Sequence, residues 1–184
     1  LARRDDVNEW YYRPIWRLRE LESPEAELEP TTWLIFLDEA GVGLRLAENL
    51  RAAGHEVVTV RTGDAYFQHS PHDFTLSPEH GRVGYDALIH DLVAVGKAPN
   101  RIVHLWLTTR DETFRPGSSF FHRNQEQGFY SLLFLAQALD AERLGHPVHI
   151  TVVTSGMQQT RDEALPYPDK ATVLGPVGVI PREL

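Results

Sequence analysis

Residues 31–60 have a pattern that few folds can accommodate. Residues 31–38, TTWLIFLD, form a continuous apolar run that ends in an acid, which is typical of a strand buried on both faces of a parallel sheet. Residues 44–53 carry helix-spaced apolar positions, Gly54 follows where a helix can end, and residues 56–60, EVVTV, read as a second buried strand. The segment is therefore a βαβ unit, and it predicts a parallel sheet with right-handed crossovers.

The rest of the chain continues the alternation of strands and helices. The signal is weak at 61–82, where it allows a short strand near 73–76 with open bounds. The pattern then predicts a helix at 85–95, a strand at 100–108, a Gly/Pro loop at 109–118, a helix at 120–143 and a strand at 148–154. Such alternation predicts an α/β fold with a doubly wound parallel sheet.

The first thirty residues have a different character. Residues 10–19, WYYRPIWRLR, suit a strand, and Pro14 would confine that strand to an edge. Residues 20–30, ELESPEAELEP, combine five Glu with two Pro and no basic residue, which favours a solvated linker. We therefore divide the chain into an N-terminal edge strand with an acidic linker at 1–30 and a folded unit at 31–184.

Composition excludes several classes of function. The chain has 184 residues and a formal net charge of −8, with 16 Arg and only two Lys in no basic cluster, so nucleic acid is a poor ligand. No apolar run approaches the roughly 18 residues that span a bilayer, so no membrane partner is expected. The absence of Cys fits a reducing compartment, and we expect a soluble, cytoplasmic location. Because residue 1 is Leu and Met157 is the only Met, we interpret the chain as a piece of a longer polypeptide.

The turn after the first predicted strand is the place where a doubly wound sheet would bind a dinucleotide. It retains Gly41 and Gly43, but a G-x-G-x-x-G motif would need Gly at position 46, where Leu46 stands. The longer T-G-x-x-x-G-x-G spacing also fails, at positions 36 and 37. Asp38 and Glu39 would place carboxylates beside a pyrophosphate. This turn is therefore interpreted as a tight strand-to-helix connection that binds no cofactor.

The catalytic Ser, Tyr and Lys pattern of short-chain reductases is also incomplete in this sequence. Those enzymes use a Ser and a Tyr that lies four residues before a Lys, which lowers the pKa of the phenol. None of the six Tyr has a Lys four residues later. Ser155, Tyr167 and Lys170 form a near match, with Tyr and Lys one residue out of register and prolines on both sides of the Tyr. We assign no catalytic residue.

Other chemistries have weaker support. The H-x-x-H pairs at 69/72 and 146/149 have no carboxylate ligand set on a helix, so no metal site is assigned. There is neither a G-x-S-x-G elbow nor a P-loop. The opening βαβ unit is similar to that of a receiver domain of two-component signalling, but the phospho-acceptor Asp and the downstream Lys of that family are missing.

Five strings, in order along the chain, carry a resemblance to a known family. They are WYYRPIWRL, HLWLT at 104–108, GFYSLLFLAQAL at 128–139, ITVVTSGMQ at 150–158 and DKATVLGPVGVIPREL at 169–184. Together they resemble the N-terminal, structural subdomain of the ketoreductase region of a modular type I polyketide synthase.

The resemblance implies a truncated Rossmann-like fold, related to short-chain dehydrogenases/reductases, that holds no cofactor. In that family an adjacent catalytic half binds NADPH and reduces a β-ketoacyl intermediate on the acyl carrier protein. The resemblance thus implies a chain that is not an enzyme on its own, whose partners are the catalytic half and neighbouring synthase domains.

Two further expectations remain open. Residues 129–139, FYSLLFLAQAL, are apolar almost all round, so we expect the 120–143 helix to bury one face on the sheet and offer much of the rest to a partner, through Leu132 or Phe134.

The alternative function is an independent NADP-dependent reductase with an atypical Ser155, Tyr167 and Lys170 site. Arg61, after the second strand, would then meet the 2′-phosphate.

Overall fold

The computed structural model describes residues 6, 16–20, 30–110, 120–159 and 164–183. Its strands are Thr32–Phe36 (β1), Glu56–Thr62 (β2), Phe67–Ser70 (β3), Asp73–Leu76 (β4), Arg101–Leu107 (β5) and His149–Thr154 (β6). Its helices are Val42–Ala52 (α1), Val83–Ala94 (α2), Phe120–Asn124 (α3), Ser131–Glu142 (α4) and Leu174–Glu183 (α5). A π-helical segment, Gln125–Tyr130, joins α3 to α4, and short 3-10 helices lie at Pro78–His80 and Pro168–Val173.

The six strands form one sheet in the order β3-β4-β2-β1-β5-β6. Every pairing is parallel except the β3–β4 hairpin. Numbered among themselves, the five parallel strands follow the order 3-2-1-4-5, which is the Rossmann order without its sixth strand. The predicted α/β Rossmann-like class is therefore confirmed, with an antiparallel edge strand, β3, that the sequence pattern did not reveal.

Helices cover the sheet on both faces, because alternate side chains of a strand point to opposite sides. Leu34 and Phe36 of β1 pack with α2 and α4 on one face. Ile35 of the same strand packs with Ala47 of α1 on the other face. Burial of β1 on both faces explains its uninterrupted apolar sequence and confirms the doubly wound arrangement.

The largest differences from the sequence pattern lie near the ends of the chain. Residues 16–20 form no strand, and the remainder of the predicted edge strand and most of the acidic linker fall outside the described residues. Helix α5 was not predicted, because its sequence contains two Gly and two Pro. Pro176 is compatible with the first turn, where its missing N–H is not needed for the helix, and it is buried against the domain.

His104 lies in the middle of β5 and is fully buried. Its ring stacks on Phe36 at 4.9 Å between centroids, and its Nε2 lies 2.8 Å from Ser131 Oγ of α4. Burial lowers the pKa of His104 to about 3, because the imidazolium ion would lose its hydration. The ring is therefore neutral at physiological pH.

Candidate functional site

The turn between β1 and α1 is closed by a side chain of the protein itself. Asp38 Oδ2 accepts a hydrogen bond from the Val42 N–H at 3.1 Å, and Asp38 Oδ1 accepts one from the Gly43 N–H at 2.6 Å. These amides belong to the first turn of α1, where free N–H groups and the helix dipole favour an anion. The carboxylate of Asp38 thus takes the place that a phosphate occupies in a dinucleotide-binding turn.

The two glycines of this turn are required by its geometry. Gly41 has φ = 84°, a left-handed conformation that side chains with a Cβ adopt rarely. A Cβ on Gly43 would lie 2.9 Å from Leu37 Cδ2 and 3.1 Å from Asp38 Oδ1. Gly41 is therefore needed for the backbone conformation of the turn, and Gly43 for the close approach of Leu37 and Asp38 to α1.

Replacing Asp38 with alanine is expected to lower the free energy of unfolding by about 1 kcal/mol, because two amides of α1 lose their acceptor. Urea denaturation followed by circular dichroism measures this difference. Asp64, in a connection between strands, offers a control, since no side-chain bond of it to a helix N-terminus is seen among the described residues. Equal stability of the Asp38→Ala and wild-type chains would contradict the capping role.

A small cavity lies at the carboxyl ends of the strands. Its volume is about 20 Å³, whereas pockets for cofactors and other ligands measure roughly 300–1,000 Å³. The described side chains around it come from β1, β2 and β5 or the residues after them, from α3 and from the π-helix; they are Leu37, Asp38, Glu39, Thr62, Trp106, Thr108, Thr109, Arg123 and Gln127. A cavity of this size is too small for a nicotinamide nucleotide.

Arg61, the candidate contact for an NADP 2′-phosphate, is paired within the domain. Its Nη1 lies 2.9 Å and 2.8 Å from the two carboxylate oxygens of Asp73 on the adjacent strand β4. A bound phosphate would have to compete with that carboxylate. The geometry therefore does not favour Arg61 as a cofactor-binding residue.

Ser155, Tyr167 and Lys170 do come together in three dimensions, although their sequence spacing departs from the reductase pattern. Ser155 follows β6, and the 3-10 helix that begins at Pro168 brings Lys170 to it. Lys170 Nζ donates hydrogen bonds to Thr109 Oγ1 at 2.7 Å and to the carbonyl oxygen of Ser155 at 3.4 Å. The prolines disfavour a regular α-helix here, but the 3-10 helix still brings Lys170 into contact with Ser155.

The orientation of these groups differs from what proton transfer requires. Lys170 Nζ lies 4.1 Å from the centroid of the Tyr167 ring, so the ammonium contacts the face of the phenol ring. The hydroxyl of Ser155 accepts a bond from the Thr109 N–H at 2.9 Å and donates one to the Thr109 carbonyl at 3.0 Å. Lys170 is fully buried, and the cluster ties the ends of β5 and β6 to the start of α5.

The apolar helix predicted at 120–143 is mostly covered by its own domain. Leu132 is 1% exposed and packs with Leu107 and Val173, and Phe134 is half-buried against Tyr85 and Tyr130. Leu132 is therefore not an outward-facing contact of α4, whereas Phe134 is partly accessible.

Exposed apolar surface lies instead on α5 and beside it. Leu174, Val177 and Val179 of this helix are 41–49% exposed. An apolar groove of about 640 Å³ runs between α4, β6 and α5. This surface was missed because no amphipathic pattern predicted α5.

The described residues form neither a membrane-spanning helix nor a metal-binding cluster. No helix in that part of the chain is long and apolar enough to cross a membrane. No group of three or more His, Asp or Glu side chains is arranged there to hold a metal ion.

The strand order and the turn closed by Asp38 define a Rossmann-like α/β domain. Residues 32–165 match the family described as beta-ketoacyl synthase-like, N-terminal, and the chain belongs to this family. No curated protein matches the chain significantly.

Two solved structures share the fold. The first is the adenylation, ketoreductase and pseudo-Asub multidomain structure of a keto acid-selecting NRPS module, with a TM-score of 0.77 and 23% identity over 92% of this chain and 14% of that one. The second is an N-terminal ketoreductase from the macrolactin assembly line, with a TM-score of 0.57 and 21% identity over 71% of this chain and 26% of that one. This chain thus spans about a quarter or less of either structure. The resemblance seen in the sequence is confirmed at the level of family and fold.

Proposed function

We propose that residues 31–184 are the structural, non-catalytic subdomain of a polyketide synthase ketoreductase region. An adjacent catalytic half would bind NADPH and reduce the β-ketoacyl intermediate held by the acyl carrier protein. In this proposal, no residue of the chain is catalytic or binds a cofactor or metal. Its role is to bury surface of the catalytic half and fix its orientation.

The observation that carries the proposal is the position of Asp38. Its carboxylate is bonded to the first amides of α1, at 2.6 Å and 3.1 Å, where a pyrophosphate would have to bind. A pyrophosphate would have to displace this carboxylate or lie beside it, and both are unfavourable for like charges in a semi-buried site. The small size of the cavity beside Asp38, about 20 Å³, supports the same function.

Titration with NADPH by calorimetry tests the proposal. We expect no saturable heat from this chain alone, and binding when the catalytic ketoreductase half of the same synthase is added. The control titrates that half by itself, so that any gain in affinity or stability can be assigned to the complex. Tight binding of NADPH by the isolated chain would overturn the proposal.

A second candidate function, an independent NADP-dependent reductase, is favoured by the convergence of Ser155, Tyr167 and Lys170. If the isolated chain bound NADPH, Tyr167→Phe should abolish ketone reduction without abolishing binding, because that substitution removes only the phenolic proton donor. Retention of activity in that variant would exclude this second function.

A further inference from the structure

The two edges of the sheet differ in how well they are protected. At one edge, β3 has four residues, and its pairing with β4 is shifted between Gln68 and Ser70. A short, irregular edge strand of this kind disfavours further pairing. At the other edge, β6 has six residues with the sequence HITVVT, without Pro, Lys or an acid. This second edge therefore lacks the usual features that prevent pairing with another strand.

The backbone groups on the outward side of β6 are paired with no other described strand. The N–H of His149 donates to the Asn100 carbonyl at 2.9 Å, on the β5 side. In a parallel strand the backbone groups of alternate residues point to opposite sides. Ile150 and Val152 therefore direct their N–H and C=O groups away from β5, and no other described strand pairs with them.

The open edge of β6 is continuous with the apolar groove. Side chains from three elements form the groove walls; they include Leu139 and Ala136 of α4, Ile150 and Val152 of β6, and Val177 and Ile180 of α5. Since the groove measures about 640 Å³, it has room for several large apolar side chains. A strand added to β6 could thus pair its backbone with Ile150 and Val152 and insert every second side chain into the groove.

The strand order indicates what is missing at this place. A complete doubly wound sheet has the order 3-2-1-4-5-6, with a sixth strand beyond the fifth. Here β6 is the fifth parallel strand, and the sixth position is empty in the described part of the chain. The exposed side chains of α5, among them Val177 at 41%, flank that position.

We propose that the catalytic ketoreductase half contributes an extended, mainly apolar segment that pairs with β6 and fills the groove. This inference rests on the proposed function, because it names the catalytic half as the occupant. Burial of the groove and pairing of the edge would both stabilise the complex and orient the two halves. A helix lying in the groove would bury apolar surface but leave the β6 backbone groups unpaired.

Hydrogen exchange followed by NMR tests the pairing of β6 directly. In the isolated chain the amides of Ile150 and Val152 should exchange much faster than those of Thr151 and Val153, which point toward β5. In the complex with the catalytic half, the Ile150 and Val152 amides should become at least about tenfold slower to exchange, because hydrogen-bonded amides exchange only through opening. The Thr151 and Val153 amides serve as controls within the same strand.

A matched pair of variants tests the groove. Val177→Asp should weaken binding of the catalytic half by about tenfold or more, since it places a carboxylate in an apolar contact. Val83→Asp makes the same change on α2, at a residue that is 76% exposed and remote from the groove walls, and should leave affinity unchanged. Thermal melting of both variants shows whether they fold.

Each outcome has a distinct meaning. If the wild-type halves do not associate, the proposed function fails. If they associate but the Ile150 and Val152 amides stay unprotected, or Val177→Asp binds like Val83→Asp, the function stands and this inference is wrong. Protection that rises with the concentration of this chain alone would identify a second copy as the occupant, and would also overturn it.

Discussion

Replacing Phe36 with alanine is expected to lower the free energy of unfolding by about 3–5 kcal/mol. The ring is fully buried in the larger core cluster. It stacks on His104 at 4.9 Å and meets the edge of Trp106 at 5.0 Å between centroids. The substitution removes these aromatic contacts and leaves a cavity at the centre of the sheet, where neighbouring strands on both sides prevent collapse.

Urea denaturation of the Phe36→Ala chain measures this loss. Phe67 provides the matched control, because it is 59% exposed on the edge strand β3. Phe67→Ala should change the free energy of unfolding by no more than about 0.5 kcal/mol. If the two variants lost similar stability, the assignment of Phe36 to the core would be wrong.

The stability of the chain should decrease in mildly acidic solution because of His104. Its pKa is about 3 in the folded protein and about 6.5 when the ring is exposed to water. Below pH 6.5 the unfolded chain therefore binds a proton that the folded chain does not bind. The contribution of His104 is complete above pH 6.5 and decreases by about 1.4 kcal/mol per pH unit as the pH falls toward 3.

The measurement compares the free energy of unfolding at pH 8 and pH 4.5, where the loss due to His104 should be about 3 kcal/mol. His104→Leu removes the titrating group, so its stability should depend less on pH by that amount, whatever its stability at pH 8. His69→Leu changes an exposed histidine of β3 and should retain the wild-type dependence. Parallel curves for His104→Leu and the wild type would contradict the prediction.

The turn before α1 and the exposed groove both fit the proposed function. Asp38 bonds the first amides of α1, at the edge of the sheet where a Rossmann domain binds its cofactor. Apolar surface is exposed near α5 and β6. Such a surface is suited to packing against a neighbouring domain.

Most of the fold could be predicted from the sequence because its signals are local. The apolar run of β1, the helix-spaced residues of α1 and the glycine after that helix determine the βαβ unit. The short strand expected near 73–76, whose bounds the sequence left open, is present as β4. The missing glycine motif and the missing Tyr–Lys spacing could also be read directly, because each is a fixed pattern along the chain.

Only the tertiary structure showed which side chains and backbone groups lie in contact. The hydrogen bonds from the amides of Val42 and Gly43 to Asp38 could not be predicted, since they depend on how the turn closes. The approach of Lys170 to Tyr167 and Ser155 depends on a 3-10 helix between prolines, which periodicity does not detect. Helix α5 was not predicted because packing against distant residues stabilises it despite its poor intrinsic propensity. The open edge of β6 was not predicted because an edge is defined only by the strand order.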